Sequence, residues 1–236
     1  CRKHRAIREG DRILEIGTGW IHWESIIIRL FYDVEATLFD VCDNRQLGPL
    51  KQYFVELERV IGKEMNIDGT QEQRIRTIIE LISKADSFDD LYQSLGFKYA
   101  VDKRGTLDEF QDESFHLIYS YNVLEHVDQN ILPCLITDFH RVLKPGGFSI
   151  HLIDLGDHLV YFAGCRRMSA KHYLKYSDEV WNRCFENRVQ YFNRIQRPEW
   201  LSIFDRADFE LIEDEARACR INTTTIAKIY ENLERR

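Results

Sequence analysis

The 236-residue chain is poor in the residues that break regular structure. Its 12 glycines and 4 prolines exclude a collagen-like repeat and a Pro/Gly-rich disordered chain. The six cysteines, Cys1, Cys42, Cys134, Cys165, Cys184 and Cys219, are scattered and form no C-x-x-C pair. That pattern excludes a spaced zinc framework and a disulfide scaffold, and it points to reduced thiols and a cytoplasmic location. No stretch reaches the ~18 apolar residues of a membrane helix, and no signal-peptide pattern opens the chain. Positive charge is not in excess either: 32 Lys and Arg stand against 39 Asp and Glu, a formal net charge of -7. Nucleic acid held through a basic surface is therefore not expected. What remains, 44% hydrophobic and 30% charged residues, is a globular composition, long enough for one domain with a sizeable insertion. The start at Cys1 leaves room for an upstream domain, and nothing in the composition decides between a monomer and a homo-oligomer.

Organisation follows from periodicity. Arg12 to Ile16 is a short apolar run ending in Gly-Thr-Gly, and Trp20 to Tyr32 carries Ile21, Ile27, Ile28 and Phe31 at helical spacing. Val34 to Val41 is a second strand, so the first segment is a β-α-β unit with a right-handed crossover and a parallel sheet. Residues 47–96 turn helical and charged, with Ser87 as a helix cap. Strands resume at Phe97 to Val101 and Phe115 to Tyr121, a helix follows from about Asp128 to Leu143, and "KPGG" breaks the chain before a strand at Phe148 to Ile153. Pro198 opens a last helix, followed by a strand at Phe209 to Glu213 and a β-rich run from Ile221 to Tyr230.

A glycine turn between a strand and a helix lets backbone approach a ligand closely, and free amides at the helix start favour anionic groups. Asp40, at the end of the next strand and about twenty residues past the glycines, is placed to accept from ribose hydroxyls. Two cofactor classes share this layout. A nicotinamide fingerprint needs G-x-G-x-x-G, but the third position falls on His22, a bulky residue where helix and strand must meet. The other class is S-adenosylmethionine, with an acid, here Glu15, closing the first strand.

Glu15-Ile16-Gly17-Thr18-Gly19, Asp40, "DESFHLIYSYNVLEHV" and "FHRVLKPGGF" arrive in that order, and with them the chain resembles the class I S-adenosylmethionine-dependent methyltransferases. The likeness covers Arg12 to Asp154 and the later "LSIFDRADFELI". It implies an α/β fold: a Rossmann-like, mostly parallel seven-stranded sheet with helices on both faces and a final antiparallel strand. It also implies a single domain over 1–236, with a helical insertion at 47–96 after strand 2 and a lid at 155–197 after strand 5. By position, Gly17, Thr18 and Gly19 lie under the methionine portion, Glu15 organises its amino end and Asp40 holds the ribose. Asp102 comes near the adenine, and Tyr121 and Asn122 beside the methyl donor. One departure is Ile21, where many relatives have a third glycine.

Methyl transfer from a sulfonium is an in-line displacement that needs positioning first, and a base only for a poor nucleophile such as a hydroxyl. Groups for that work belong at the carboxyl ends of the strands. Two clusters qualify: Glu125-His126 in "LEHV", and "HLIDLGDH" from His151 to His158, of which alternation lets only part face a site. The catalytic candidates are His126, Asp154 and His158. Imidazole and carboxylate also suit divalent ions, but the spacing is not specific and no metal is assigned. Aromatics from Tyr161 to Phe192 suit a lid, or simply a packed core. The "LEHV" motif with the lid-and-insertion pattern resembles bacterial methyltransferases of glycan or lipid-linked sugar precursors, so the expected acceptor is a small molecule, a sugar hydroxyl. N- or C-methylation of another metabolite, and an inactive methyltransferase-like binding module, are the competing readings.

Overall fold

A computed structural model describes residues 3–64, 67–158, 170–185 and 191–216. The chain divides into two compact units, Cys1–Tyr121 with Thr137–His151, and Asn122–Ile136 with Leu152–Arg236.

The first unit is built on β1 (Arg12–Ile16), β2 (Glu35–Asp40), β3 (Lys98–Val101), β4 (Phe115–Tyr121) and β5 (Leu143–Leu152), in the order β3-β2-β1-β4-β5. β1 pairs parallel with both neighbours, Leu14 facing Thr37 on one side and Ile118 on the other, and β2 pairs parallel with β3. Ile13 and Leu14 are fully buried, as a central parallel strand covered on both faces requires. The order reverses between β1 and β4, which makes the carboxyl ends of these two strands the place where an open α/β sheet leaves a crevice.

Helix α1 (Trp23–Phe31) returns from β1 to β2 and buries Ser25, Ile26 and Leu30. Each fully buried aliphatic side chain of this kind contributes about 1.5–3 kcal/mol. Three helices lie between β2 and β3: α2 (Leu47–Glu64), α3 (Gly69–Lys84) and α4 (Phe88–Leu95). Asp68 and Gln71 form a capping box at the start of α3, and its Ile75, Ile78, Ile79 and Ile82 make one buried stripe. Ser87 caps α4 by accepting from the Asp90 amide, and Gly96 closes it in the left-handed region at φ 71°. All three helices share one core with β1, β2 and α1.

The "KPGG" segment does not interrupt the chain before β5. The strand runs on from Leu143, with Gly146 at φ 74°. A Cβ on Gly147 would sit 2.9 Å from the Lys144 carbonyl oxygen and 3.0 Å from that of His116, so this glycine marks a close backbone approach rather than a break.

The sheet has five strands among the described residues, not seven. Phe209 to Glu213 carries no strand there, and Leu211 and Ile212 are both exposed; the run from 221 to 230 lies outside the described residues. An alternating pattern shows only that residues can pair, and a strand needs a neighbour to pair with.

Within the second unit, α5 (Leu132–Val142) begins, a 3-10 turn covers His172–Lys175, and α6 (Asp178–Cys184) and α7 (Arg197–Arg206) follow. Of the segment read as a lid, 159–169 and 186–190 lie outside the described residues, as does Tyr161. Its described aromatics make a small core of their own, with Tyr173, Trp181 and Phe192 buried and Phe185 stacked on Trp181 at 5.3 Å. No helix among the described residues is long and apolar enough to cross a membrane.

Candidate active site

The turn after β1 holds Gly17 at φ 72° and Gly19 at φ 66°, left-handed values that suit glycine. A Cβ built on Gly19 meets nothing within 4 Å, so the space beside this turn is open to a ligand. Asp40 ends β2, and its carboxylate accepts from the Gly19 amide at 2.9 Å and from the Val41 amide at 2.7 Å. It therefore ties the ends of β1 and β2 together and retains lone pairs for a hydroxyl donor. Exposed Trp20, Val41, Val101 and Tyr121 give the carboxyl ends of β1 to β4 an apolar surface. A nucleoside fits this donor set: open glycine turn, carboxylate for a diol, apolar residues for a base.

Glu15 is buried, and its Oε2 accepts from the Ser25 amide at 3.0 Å, from the Ser25 hydroxyl and from the Tyr119 hydroxyl at 2.7 Å. Burial pushes its carboxyl up, against the lowering pull of those hydrogen bonds. The side chain thus pins α1 to β1 and β4 beneath the turn. Glu24 beside it is pushed up to about 8 by burial, then by Glu15.

Thr18 is buried, and its hydroxyl is 2.9 Å from Nε2 of His22. His22, read from sequence as an obstacle, is the left-handed N-cap of α1 at φ 48° and fully buried. Its Nδ1 bonds the Tyr92 hydroxyl of α4, and its ring lies against Phe88, Tyr92 and Tyr99. Burial pulls it down to about 4. The third-glycine position of the nicotinamide fingerprint is thus taken by a neutral imidazole that fastens the turn to α4. Arg45 closes this group, its guanidinium 4.6 Å from the Tyr99 ring centre and paired with Asp43 and Asp89.

Asp102 follows β3, and its amide donates to the Asp40 carbonyl at 3.1 Å. Its carboxylate is taken up by its own loop, by the Arg104 amide at 3.0 Å and guanidinium and by the Thr106 hydroxyl at 2.7 Å, which hold it down at about 2. Tyr121 ends β4 half exposed, edge-on to Trp23 at 6.1 Å.

In the second unit Asn122 is left-handed at φ 54°, and its amide donates to the Leu152 carbonyl at 2.9 Å. The 3-10 turn Leu124–His126 follows. Asn193 holds this turn: its amide donates to the Glu125 carbonyl at 2.9 Å, and its Nδ2 to the Leu124 and Val127 carbonyls at 2.7 and 3.1 Å. His126 Nδ1 is 2.6 Å from the Tyr191 carbonyl oxygen. A carbonyl only accepts, so Nδ1 carries a hydrogen, and whenever the ring is uncharged its lone pair is on Nε2. The His126 and His158 rings lie 5.0 Å apart. His158 Nε2 is 3.4 Å from Asp154 Oδ2. The Asp154 amide donates to Glu125 Oε1 at 3.2 Å, and its Oδ1 accepts from the Gly156 amide at 2.7 Å. Burial, followed by the His126 charge, lowers His158; burial raises Glu125 to about 7.

The three catalytic candidates thus lie together, and Glu125, which the sequence offers in one cluster with His126, joins them. His151 belongs to the first unit, where it is held by the Ser120 and Ser149 hydroxyls at 2.8 and 2.7 Å and stacked on Phe139. Tyr92, Ser25, Tyr119 and Asn193 were missed. Ordinary Tyr, Ser and Asn in polar or amphipathic stretches carry no local sign of such partners.

The sequence model of the methyltransferase domain family matches residues 2–214. No curated protein matches the sequence. Among solved structures, a SAM-dependent methyltransferase from Methanosarcina mazei superposes with a TM-score of 0.51 at 18% identity, over 89% of this chain and 84% of that one. Phosphoethanolamine N-methyltransferase 2 of Haemonchus contortus, in complex with S-adenosyl-L-methionine, gives 0.52 at 18% identity, over 99% of this chain and 40% of that one. A candidate methyltransferase from Bacillus halodurans gives 0.50 at 16% identity, over 90% of this chain and 68% of that one.

Proposed function

The chain belongs to the methyltransferase domain family, and from that premise we propose that it methylates a hydroxyl of a small polar acceptor, a sugar of a glycan or lipid-linked precursor. S-adenosylmethionine is the cofactor and supplies an activated methyl group on a sulfonium. The open turn at Gly17 to Gly19 binds its amino-acid portion and Asp40 its ribose, while Glu15 acts indirectly by fixing α1. Asp102, satisfied within its own loop, lends its backbone and the wall beside it rather than its carboxylate. Tyr121 and Asn122 would border the reacting methyl group.

The observation that carries a hydroxyl acceptor is the gathering of Glu125, His126, Asp154 and His158 in the second unit. An amine nucleophile has a lone pair to offer once neutral, whereas a sugar hydroxyl gains from proton removal at the transition state. This group would take the proton that the acceptor hydroxyl loses when its oxygen gains the methyl group. Residues 47–96 would then be a helical insertion and 155–197 a lid over the acceptor, both within one domain over 1–236.

Calorimetric titration with S-adenosylhomocysteine, beside NAD, tests the cofactor, and radiolabelled methyl transfer to nucleotide sugars, glycolipid precursors and ethanolamine-type amines tests the acceptor. Turnover of amines alone would replace the hydroxyl reading. Binding of neither nucleotide would favour the inactive module.

A further inference from the structure

Glu125, His126 and His158 offer one ligating atom each within 4.8 Å of one another. Two independent features of this trio are those of a metal centre. His126 donates Nδ1–H to the Tyr191 carbonyl at 2.6 Å, the backing that orients a metal-binding imidazole and leaves Nε2 as the ligand. Glu125 is fully buried; Oε1 accepts the Asp154 amide, and Oε2 has no hydrogen-bond partner among the described residues. A buried carboxylate oxygen without a donor is costly and needs a cation or a proton.

We propose that Glu125, His126 and His158 bind one divalent transition-metal ion of the zinc class. Two imidazoles and one carboxylate form a catalytic-type donor set that leaves coordination positions open for an exogenous ligand. Ligands at ~2.0–2.1 Å around a tetrahedral ion lie about 3.4 Å apart, so atoms within 4.8 Å of one another close by at most about 1.4 Å on binding, within reach of side-chain rotation. Asn193 fixes the backbone of the turn that carries Glu125 and His126 through three hydrogen bonds. The use of the ion, to orient and acidify a hydroxyl of the acceptor, rests on the methyl-transfer reading. Asp154, next to the ligands but not one of them, then receives the hydroxyl proton.

The test is calorimetric titration of the whole chain, freed of metal with a chelator, with zinc chloride, and visible spectroscopy with cobalt(II). One zinc per chain is expected, with at least about tenfold weaker binding in Glu125→Gln and His158→Gln. Cobalt(II) should give d–d bands without the strong thiolate charge-transfer band that the exposed Cys42, Cys134 and Cys184 would produce. Circular dichroism in chelator checks that the variants fold. No zinc binding, binding unchanged in both variants, or a thiolate spectrum would overturn the site. S-adenosylhomocysteine titrated in parallel into the wild-type protein separates the readings: cofactor binding without zinc binding sinks the metal centre alone, and zinc binding without cofactor binding sinks methyl transfer alone.

Discussion

Protonation of His22 is the perturbation whose cost the structure defines most directly. The neutral ring uses both nitrogens, Nε2 toward the Thr18 hydroxyl and Nδ1 toward the Tyr92 hydroxyl, in a site walled by Phe88, Tyr92 and Tyr99. Burial is the largest cause that lowers it from 6.5 to about 4, and Arg45 adds to the effect. The folded value lies below the unfolded one, so between the two the unfolded chain binds more protons. The stabilisation is complete above 6.5 and is lost as pH falls toward 4. Integrated from about pH 7.5 to about pH 5, the loss is about 2 kcal/mol. Urea unfolding followed by tryptophan fluorescence, at both pH values, reads it out. The control is His22→Asn, because Asn tolerates the left-handed backbone. The variant is less stable throughout, having lost its two hydrogen bonds, but carboxylate titrations elsewhere are common to both proteins. The wild type should lose about 2 kcal/mol more than the variant on acidification. Equal losses would mean that His22 is protonated as easily folded as unfolded, and the account of this turn would fail.

Other substitutions test other links. Asp40→Ala should weaken S-adenosylhomocysteine binding by about 1–3 kcal/mol, or roughly fivefold to 150-fold, through loss of the ribose acceptor and of the bond to Gly19; unchanged affinity by calorimetry removes Asp40 from the site. Tyr119→Phe takes one donor from buried Glu15 and should cost about 1–3 kcal/mol in denaturant unfolding, a smaller change showing that Ser25 suffices. Gly147→Val drives side-chain carbon against the Lys144 and His116 carbonyl oxygens and should lower stability by more than about 1 kcal/mol; a neutral result would disprove the close approach. Trp181→Ala empties the small aromatic core and should cost about 3–5 kcal/mol, seen as earlier proteolysis of 170–185 if the second unit opens by itself.

Much of the fold was legible because it is written locally. β1 and β4 were bounded from their apolar runs alone, Ser87 was recognisable as a cap, and the glycine turn and Asp40 stood at strand ends where spacing put them. The strand expected at 209–213 was not, since alternation there names residues able to pair without naming a partner. "KPGG" read as a break because sequence shows glycine's freedom but not the neighbouring carbonyls that require it at Gly147.

The site divides along the same line. By itself the sequence determined the family, the glycine turn after β1 and the candidates His126, Asp154 and His158, for these depend on residue type and on spacing within a few turns of chain. Only the tertiary structure decided that His22 meets Tyr92 across 70 residues, that Glu15 is spent on Ser25 and Tyr119, and that Glu125, whose Oε2 has no hydrogen-bond partner among the described residues, comes beside the imidazoles of His158 and of His126, the latter held by the Tyr191 carbonyl. Periodicity reports how a segment faces its own axis. Which distant side chain completes a buried polar group is settled only when segments pack, because only then does losing water make each missing partner costly.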